Sequence, residues 1–84
     1  MIVSIHPNPI NSTGHLVFES SENHQVQIRV TDLKGKVVSR KKASVQKGQS
    51  TVTLYSYTWK AGLYFIECSN DKGDQKTLKV LKIK

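Results

Sequence analysis

The fourteen residues Gln25-Val-Gln-Ile-Arg-Val-Thr-Asp-Leu-Lys-Gly-Lys-Val-Val38 decide the fold of this 84-residue chain. Apolar side chains alternate with polar ones from residue 25 to residue 31, which is the period of a strand with one buried face. An Asp that opens a reversal and a Gly that closes it follow at once, a pattern typical of a hairpin turn. The stretch therefore predicts two antiparallel strands joined at residues 32–35, with positive φ at Gly35.

The same alternation recurs along the chain, and turns that contain glycine separate the segments. We predict strands at residues 2–6, 15–20, 25–32, 36–43, 49–55, 62–69 and 75–83. Seven short strands without helical periodicity predict an all-β fold, an antiparallel β-sandwich. The phase of the alternation changes after Val80, which predicts a bulge or a strand end there. The core predicted from these phases is Val26, Ile28, Val30, Val52, Leu54, Tyr64 and Ile66.

Charge is distributed unevenly along the chain. The formal net charge is +7, yet residues 1–28 contain no Lys or Arg, and all 13 basic residues follow. Such a bias attracts an acidic partner, an anionic glycolipid or nucleic acid, or it serves solubility and the protection of strand edges.

No arrangement of residues predicts catalysis, a metal site or a cofactor. His6, His15 and His24 have no zinc-ligand spacing, and the only cysteine, Cys68, lies in an apolar strand as a small core residue. No apolar run is long enough to span a membrane. Pro7 and Pro9 fix φ on both sides of Asn8, whose side chain is expected to bond to the backbone nearby.

Five short motifs stand in one order along the chain. They are His-Pro-Asn-Pro-Ile at 6–10, Asp-Leu-Lys-Gly-Lys-Val-Val at 32–38, Gly48 before a Thr/Val/Leu strand, Ala-Gly-Leu-Tyr-Phe-Ile at 61–66, and a basic β-tail that ends in Lys84. In this order they resemble the type A C-terminal sorting domain of proteins exported by the type IX (Por) secretion system of Bacteroidota. The resemblance covers residues 5–84, with His6 in place of the family's usual aromatic residue and Trp59 in place of its usual Leu.

The resemblance implies an immunoglobulin-like sandwich of about seven strands that acts as the secretion address of a larger parent protein. The outer-membrane secretion machinery would read the folded domain, and a sortase-like surface peptidase would then remove it. The parent would pass through the periplasm to the cell surface or the medium. In this family the essential recognition information lies toward the C-terminal end. Matched by position to the family's motifs and to that end, the residues expected to act in recognition are Pro7, Asn8, Pro9, Asp32, Gly35, Lys36, Gly62, Tyr64, Lys79, Lys82 and Lys84.

Residues 1–84 are thus expected to be a single sorting domain from a larger secreted protein, and not an enzyme. The expected partners are the secretion machinery and the peptidase, without nucleic acid. Two other functions fit the residues. A surface adhesion or carbohydrate-binding sandwich would use Tyr55, Tyr57 and Trp59, and a peptidase inhibitor of the same fold would bind through residues 7–14.

Overall fold

A computed structural model describes all 84 residues, and its regular structure consists of strands alone. The all-β prediction is confirmed, and each of the seven predicted strands is present with bounds that differ by two residues at most. The strands are β1 Ile2–His6, β2 Thr13–Ser20, β3 His24–Asp32, β4 Val37–Val45, β5 Gly48–Tyr55, β6 Gly62–Asn70 and β7 Gln75–Lys82. No helix capable of crossing a membrane is present.

The strands form two antiparallel sheets that pack face to face. One sheet has three strands in the order β1-β2-β5, and the other has four in the order β4-β3-β6-β7. The deciding stretch behaves as its period predicts, since Val26, Ile28 and Val30 of β3 are buried and Gln25 and Gln27 are exposed. The molecule is a β-sandwich with one polar face on each sheet.

One cluster of fourteen buried apolar side chains fills the space between the sheets. Six of the seven predicted core residues belong to it, whereas Val52 is half-buried at its margin. The other eight members are Ile5, Ile10, Leu16, Phe18, Val45, Trp59, Cys68 and Val80.

The last strand corrects one prediction. β7 keeps an unbroken register with β6, from Gln75 opposite Ser69 to Lys82 opposite Gly62, so it neither bulges nor ends at Val80. The alternation continues because Lys82 takes the inward position after Val80 and is only 3 % exposed. The prediction was wrong because it assigned the inward face from hydrophobicity alone. A register shift occurs instead between β3 and β4, at residues 30 and 31.

Because the strands are antiparallel, the connections between them alternate between the two ends of the sandwich. The β1–β2, β3–β4 and β5–β6 connections lie at the end where β7 finishes, which we call the tail end. The β2–β3, β4–β5 and β6–β7 turns lie at the opposite end, which we call the far end. Most of the residues on which the family resemblance depends therefore come together at the tail end.

Candidate functional site

The Pro7-Asn8-Pro9 motif lies against the last strand. The side-chain amide of Asn8 donates to the Lys79 carbonyl at 3.3 Å, and its Oδ1 accepts from the Leu81 N–H at 3.3 Å. The carboxamide thus pairs with β7 much as a peptide group of a neighbouring strand would. The expectation that Asn8 bonds to nearby backbone was wrong, because its partners are 71 and 73 residues away.

Ile10 extends this contact through its backbone and its side chain. Its N–H donates to the Leu81 carbonyl at 2.8 Å, and its carbonyl accepts from the Ile83 N–H at 2.9 Å. Its side chain is fully buried over Gly14, where an added Cβ would come within 3.1 Å of Ile10 Cγ2. We call the contact of residues 8–10 with residues 79–83 the clasp. It fixes the β1–β2 connection to the end of β7.

The β3–β4 connection is a tight turn organised by Asp32. Its Oδ1 accepts the N–H groups of Lys34 and Lys36, each at 2.9 Å, and its carbonyl accepts the Gly35 N–H at 3.1 Å. Gly35 has a φ of +85°, which confirms the predicted positive value and which glycine adopts at least cost. Because this carboxylate is used within the turn, the role of Asp32 is to shape the loop that presents Leu33.

Two aromatic side chains hold the β5–β6 connection beside this turn. The ring centroids of Trp59 and Tyr64 are 5.0 Å apart, and both side chains are buried. The Tyr64 hydroxyl donates to the Lys60 carbonyl, and Tyr64 lies opposite Asp32 in the β3–β6 pairing. Gly62 begins β6 with a φ of +149°, a value that few other residues accept. These contacts fix the connection in place against the sheet.

An open groove of about 650 Å³ separates the β3–β4 turn from the β5–β6 connection. Its apolar lining includes Leu33, Trp59 and Leu63. Its polar lining includes three lysines, namely Lys34, Lys36 and Lys60. We call this feature the end groove. Four of the residues predicted to act in recognition also line it, which are Asp32, Lys36, Gly62 and Tyr64.

The C-terminal lysines do not form one surface. Lys79 and Lys84 are exposed near the clasp, but the Lys82 side chain is buried and donates to the Ile83 carbonyl at 3.2 Å. Lys72 lies in the β6–β7 turn at the far end. Lys82, which the resemblance placed among the recognition residues, therefore offers no exposed charge, because its position in the alternation of β7 points it into the sandwich.

The uneven distribution of Lys and Arg along the sequence corresponds to an uneven distribution between the two sheets. Strands β1, β2 and β5 contain no Lys or Arg, so the three-stranded sheet has no basic residue. Within strands, every basic side chain belongs to the four-stranded sheet, where Arg29 forms an ion pair with Glu67. The basic side chains of the strands thus belong to one sheet, although Lys82 is buried between the sheets and Lys41 Nζ donates to the Thr53 carbonyl of β5.

The predicted sugar-binding trio is divided by burial. Tyr55 and Tyr57 stack at 6.1 Å and are 62 % and 68 % exposed, whereas Trp59 is 8 % exposed and packs on Tyr64. Trp59 is therefore a core residue that closes the tail end, and it cannot join the two tyrosines in one exposed platform.

The three histidines lie in two separate places. His6 and His15 are opposite each other on β1 and β2 at the tail end. His24 is buried at the start of β3, and its Nδ1 lies 3.2 Å from Asp71 Oδ1. The contact between His24 and Asp71 ties the β6–β7 turn to β3 and gives His24 a structural role.

We expect Cys68 to resist alkylation in the folded domain. Its side chain is fully buried, and burial raises the pKa of the thiol from 9.0 to about 11, so the reactive thiolate is scarce at pH 8. Iodoacetamide at pH 8, followed by mass spectrometry, should label the thiol in urea but hardly at all in buffer. Rapid labelling in buffer would show that β6 opens readily or that Cys68 is accessible.

Comparison with solved structures supports the fold assignment. A DUF3244 family protein from Bacteroides vulgatus with an immunoglobulin-like β-sandwich fold has a TM-score of 0.77 at 22 % identity, over 96 % of this chain and 84 % of that one. Dimeric latent PorU from Porphyromonas gingivalis has a TM-score of 0.77 at 16 % identity, over 96 % of this chain but 9 % of PorU. A β-glucosidase from Listeria innocua has a TM-score of 0.56 at 19 % identity, over 94 % and 15 % of the two chains. These likenesses establish an immunoglobulin-like sandwich.

The fold therefore places the chain in the class of small immunoglobulin-like β-sandwich modules. A search of curated protein sequences found no match. The model of the secretion system C-terminal sorting domain, however, matches residues 4–84, and the chain belongs to this family. It is a sorting signal of type IX secretion, which directs export across the outer membrane to the cell surface or the medium.

Sequence reasoning missed four residues that shape the accessible surface of the tail end. Leu33 and Lys34 entered the sequence analysis only as turn residues, and Lys60 was not assigned to recognition. Ile10 was placed in a motif without a structural role, although it is fully buried. The clearest signal in the sequence is the leucine itself, because leucine is unusual at a turn position that favours Asn, Gly or Ser, and the structure leaves its side chain 67 % exposed.

Proposed function

We propose that the secretion machinery reads this domain at the tail end, as a folded unit that has passed through the periplasm. The clasp is the observation that carries the proposal, because it joins Pro7, Asn8 and Pro9 to the strand that bears Lys79. Segments from opposite ends of the sequence thus present one surface. That surface depends on the folded state, so an unfolded chain would lack it.

Within this surface the recognition residues have two kinds of role. Asn8, Asp32, Gly35, Gly62 and Tyr64 maintain the geometry through the bonds and backbone angles described above. The exposed side chains of Lys36, Lys79 and Lys84, together with Pro7 and Pro9, are available to a partner. Their positive charge suits an acidic receptor surface.

The domain serves as an address for a larger parent protein and catalyses no reaction of its own. After export, a sortase-like surface peptidase removes it, and the parent is released or joined to lipopolysaccharide. Cleavage before β1 would suit the structure, because a cut there would leave the clasp and both sheets intact. The peptidase would then cleave the segment that leads into β1 and would leave the folded domain intact.

A reporter protein placed before residue 1 tests the proposal in a bacterium that has a type IX secretion system. We expect the reporter to reach the surface or the medium and to lose at least the 9.4 kDa of the domain. The variant Lys79→Glu/Lys84→Glu should fold normally but leave more reporter in the periplasm, because both side chains are exposed.

The matched control is Lys47→Glu/Lys72→Glu, which makes the same charge change in turns at the far end. Melting curves of all variants separate export defects from unfolding. Normal export of the folded Lys79→Glu/Lys84→Glu variant would show that these lysines are not read. A wild-type reporter that stays in the periplasm would refute the sorting role of the 84 residues by themselves.

A further inference from the structure

We infer that the end groove binds an extended protein segment that presents an apolar side chain between acidic residues. The inference rests on the proposed function, since it names the chemistry of the partner that reads the tail end. The groove volume of about 650 Å³ lies within the range of specific binding sites, which combine an apolar lining with a few placed polar groups.

The apolar part of the groove is already formed and open to solvent. Trp59 and Tyr64 are fixed by their mutual contact, so the floor needs no rearrangement before it binds a partner. Leu33 stands at one margin with 67 % of its surface exposed, and the half-buried Leu63 lies in the lining. An exposed leucine and a half-buried leucine beside a preformed apolar floor favour contact with an apolar group of another molecule.

The charged part of the groove indicates that the partner carries negative charge. Lys34, Lys36 and Lys60 line it, and none of them takes part in either of the two ion pairs of the domain. The nearest acid, Asp32, is engaged by two backbone N–H groups of its own turn. Three unpaired ammonium groups around an apolar floor are complementary to carboxylates that flank an apolar side chain.

The residues of this groove divide into those that shape it and those whose side chains a partner can touch. Asp32, Gly62 and Tyr64 line the groove, and both Asp32 Oδ1 and the Tyr64 hydroxyl are bonded to the backbone of the two connections that form it. The side chains that a partner can touch are those of Leu33, Lys34, Lys36, Lys60 and Leu63. Recognition would thus depend on residues that the sequence motif holds in place rather than on the motif alone.

Reporter export with two groove variants tests the apolar and the charged part separately. The first is Leu33→Gln, with Ile2→Gln as its control because Ile2 is 63 % exposed at the far end. The second is Lys34→Gln/Lys60→Gln, with Lys47→Gln/Lys72→Gln as its control. The altered side chains make no hydrogen bond within the domain, so melting temperatures should stay near that of the wild type.

We expect both groove variants to lose surface reporter and accumulate it in the periplasm, while both controls are exported like the wild type. Normal export of both groove variants beside an exported wild type would overturn the inference and leave the sorting function intact. A defect in the lysine variant alone would point to an anionic lipid or glycan and would overturn the assignment to a protein segment. A defect in the leucine variant alone would overturn the acidic part of that assignment. A wild-type domain that fails to export would overturn both proposals.

Discussion

Replacing Ile10 with alanine is expected to lower the free energy of unfolding by about 2–5 kcal/mol, the usual cost of truncating a buried isoleucine. The side chain is fully buried over Gly14, and the Ile10 backbone is hydrogen-bonded to Leu81 and Ile83. Because a small domain has only about 5–15 kcal/mol of net stability, this loss is a large share of the total. Urea denaturation followed by tryptophan fluorescence measures it, since Trp59 is the only tryptophan.

Ile2→Ala is the matched control, because Ile2 is 63 % exposed and its truncation should change stability by no more than about 0.5 kcal/mol. Hydrogen exchange adds a local measurement. The Ile83 N–H donates to the Ile10 carbonyl, so its exchange should accelerate in the Ile10 variant if the clasp loosens. Equal stability of the two variants would mean that the Ile10 side chain is not part of the core.

The contrast between Ile10 and Ile28 shows which parts of the fold a sequence can predict. Ile28 lies in a run whose period of two assigns its face, and the structure confirms its burial. Ile10 lies in the connection between β1 and β2, outside any run of alternating apolar and polar residues, so no period assigns its side chain to a face. Its burial depends on a bridge to residues about 70 positions away, which local patterns do not encode.

The candidate site shows a similar division. The family motifs located the tail end, because turn residues such as Asp32 and Gly35 carry a recognisable local signature. The same motifs did not distinguish residues that shape the surface from residues that a partner touches. That distinction depends on the bonds of Asp32 Oδ1 and on the exposure of Leu33, and both are properties of the folded chain.

Lys82 is expected to tolerate methionine but not glutamate. The buried ammonium has a single acceptor, the Ile83 carbonyl, and neither of the domain's two ion pairs includes it. Methionine has a similar shape and needs no acceptor, so Lys82→Met should leave the free energy of unfolding unchanged or raise it. Lys82→Glu would bury a carboxylate beside that carbonyl and should cost about 3 kcal/mol or more, the loss typical of an uncompensated buried charge.

Export of the two variants then decides what Lys82 contributes to sorting. Because its charge is turned into the sandwich, we expect Lys82→Met to send a reporter to the surface as well as the wild type does. Export of the Lys82→Glu variant should fall only in proportion to the fraction of the domain that is unfolded. The export defect should therefore lessen at a lower temperature at which folding recovers. The exposed Lys79 and Lys84 should show the opposite behaviour, with normal melting and impaired export on charge reversal. A stable Lys82→Met variant that stays in the periplasm would mean that the receptor reads the ammonium group itself, so that β7 must turn or open when the domain is bound.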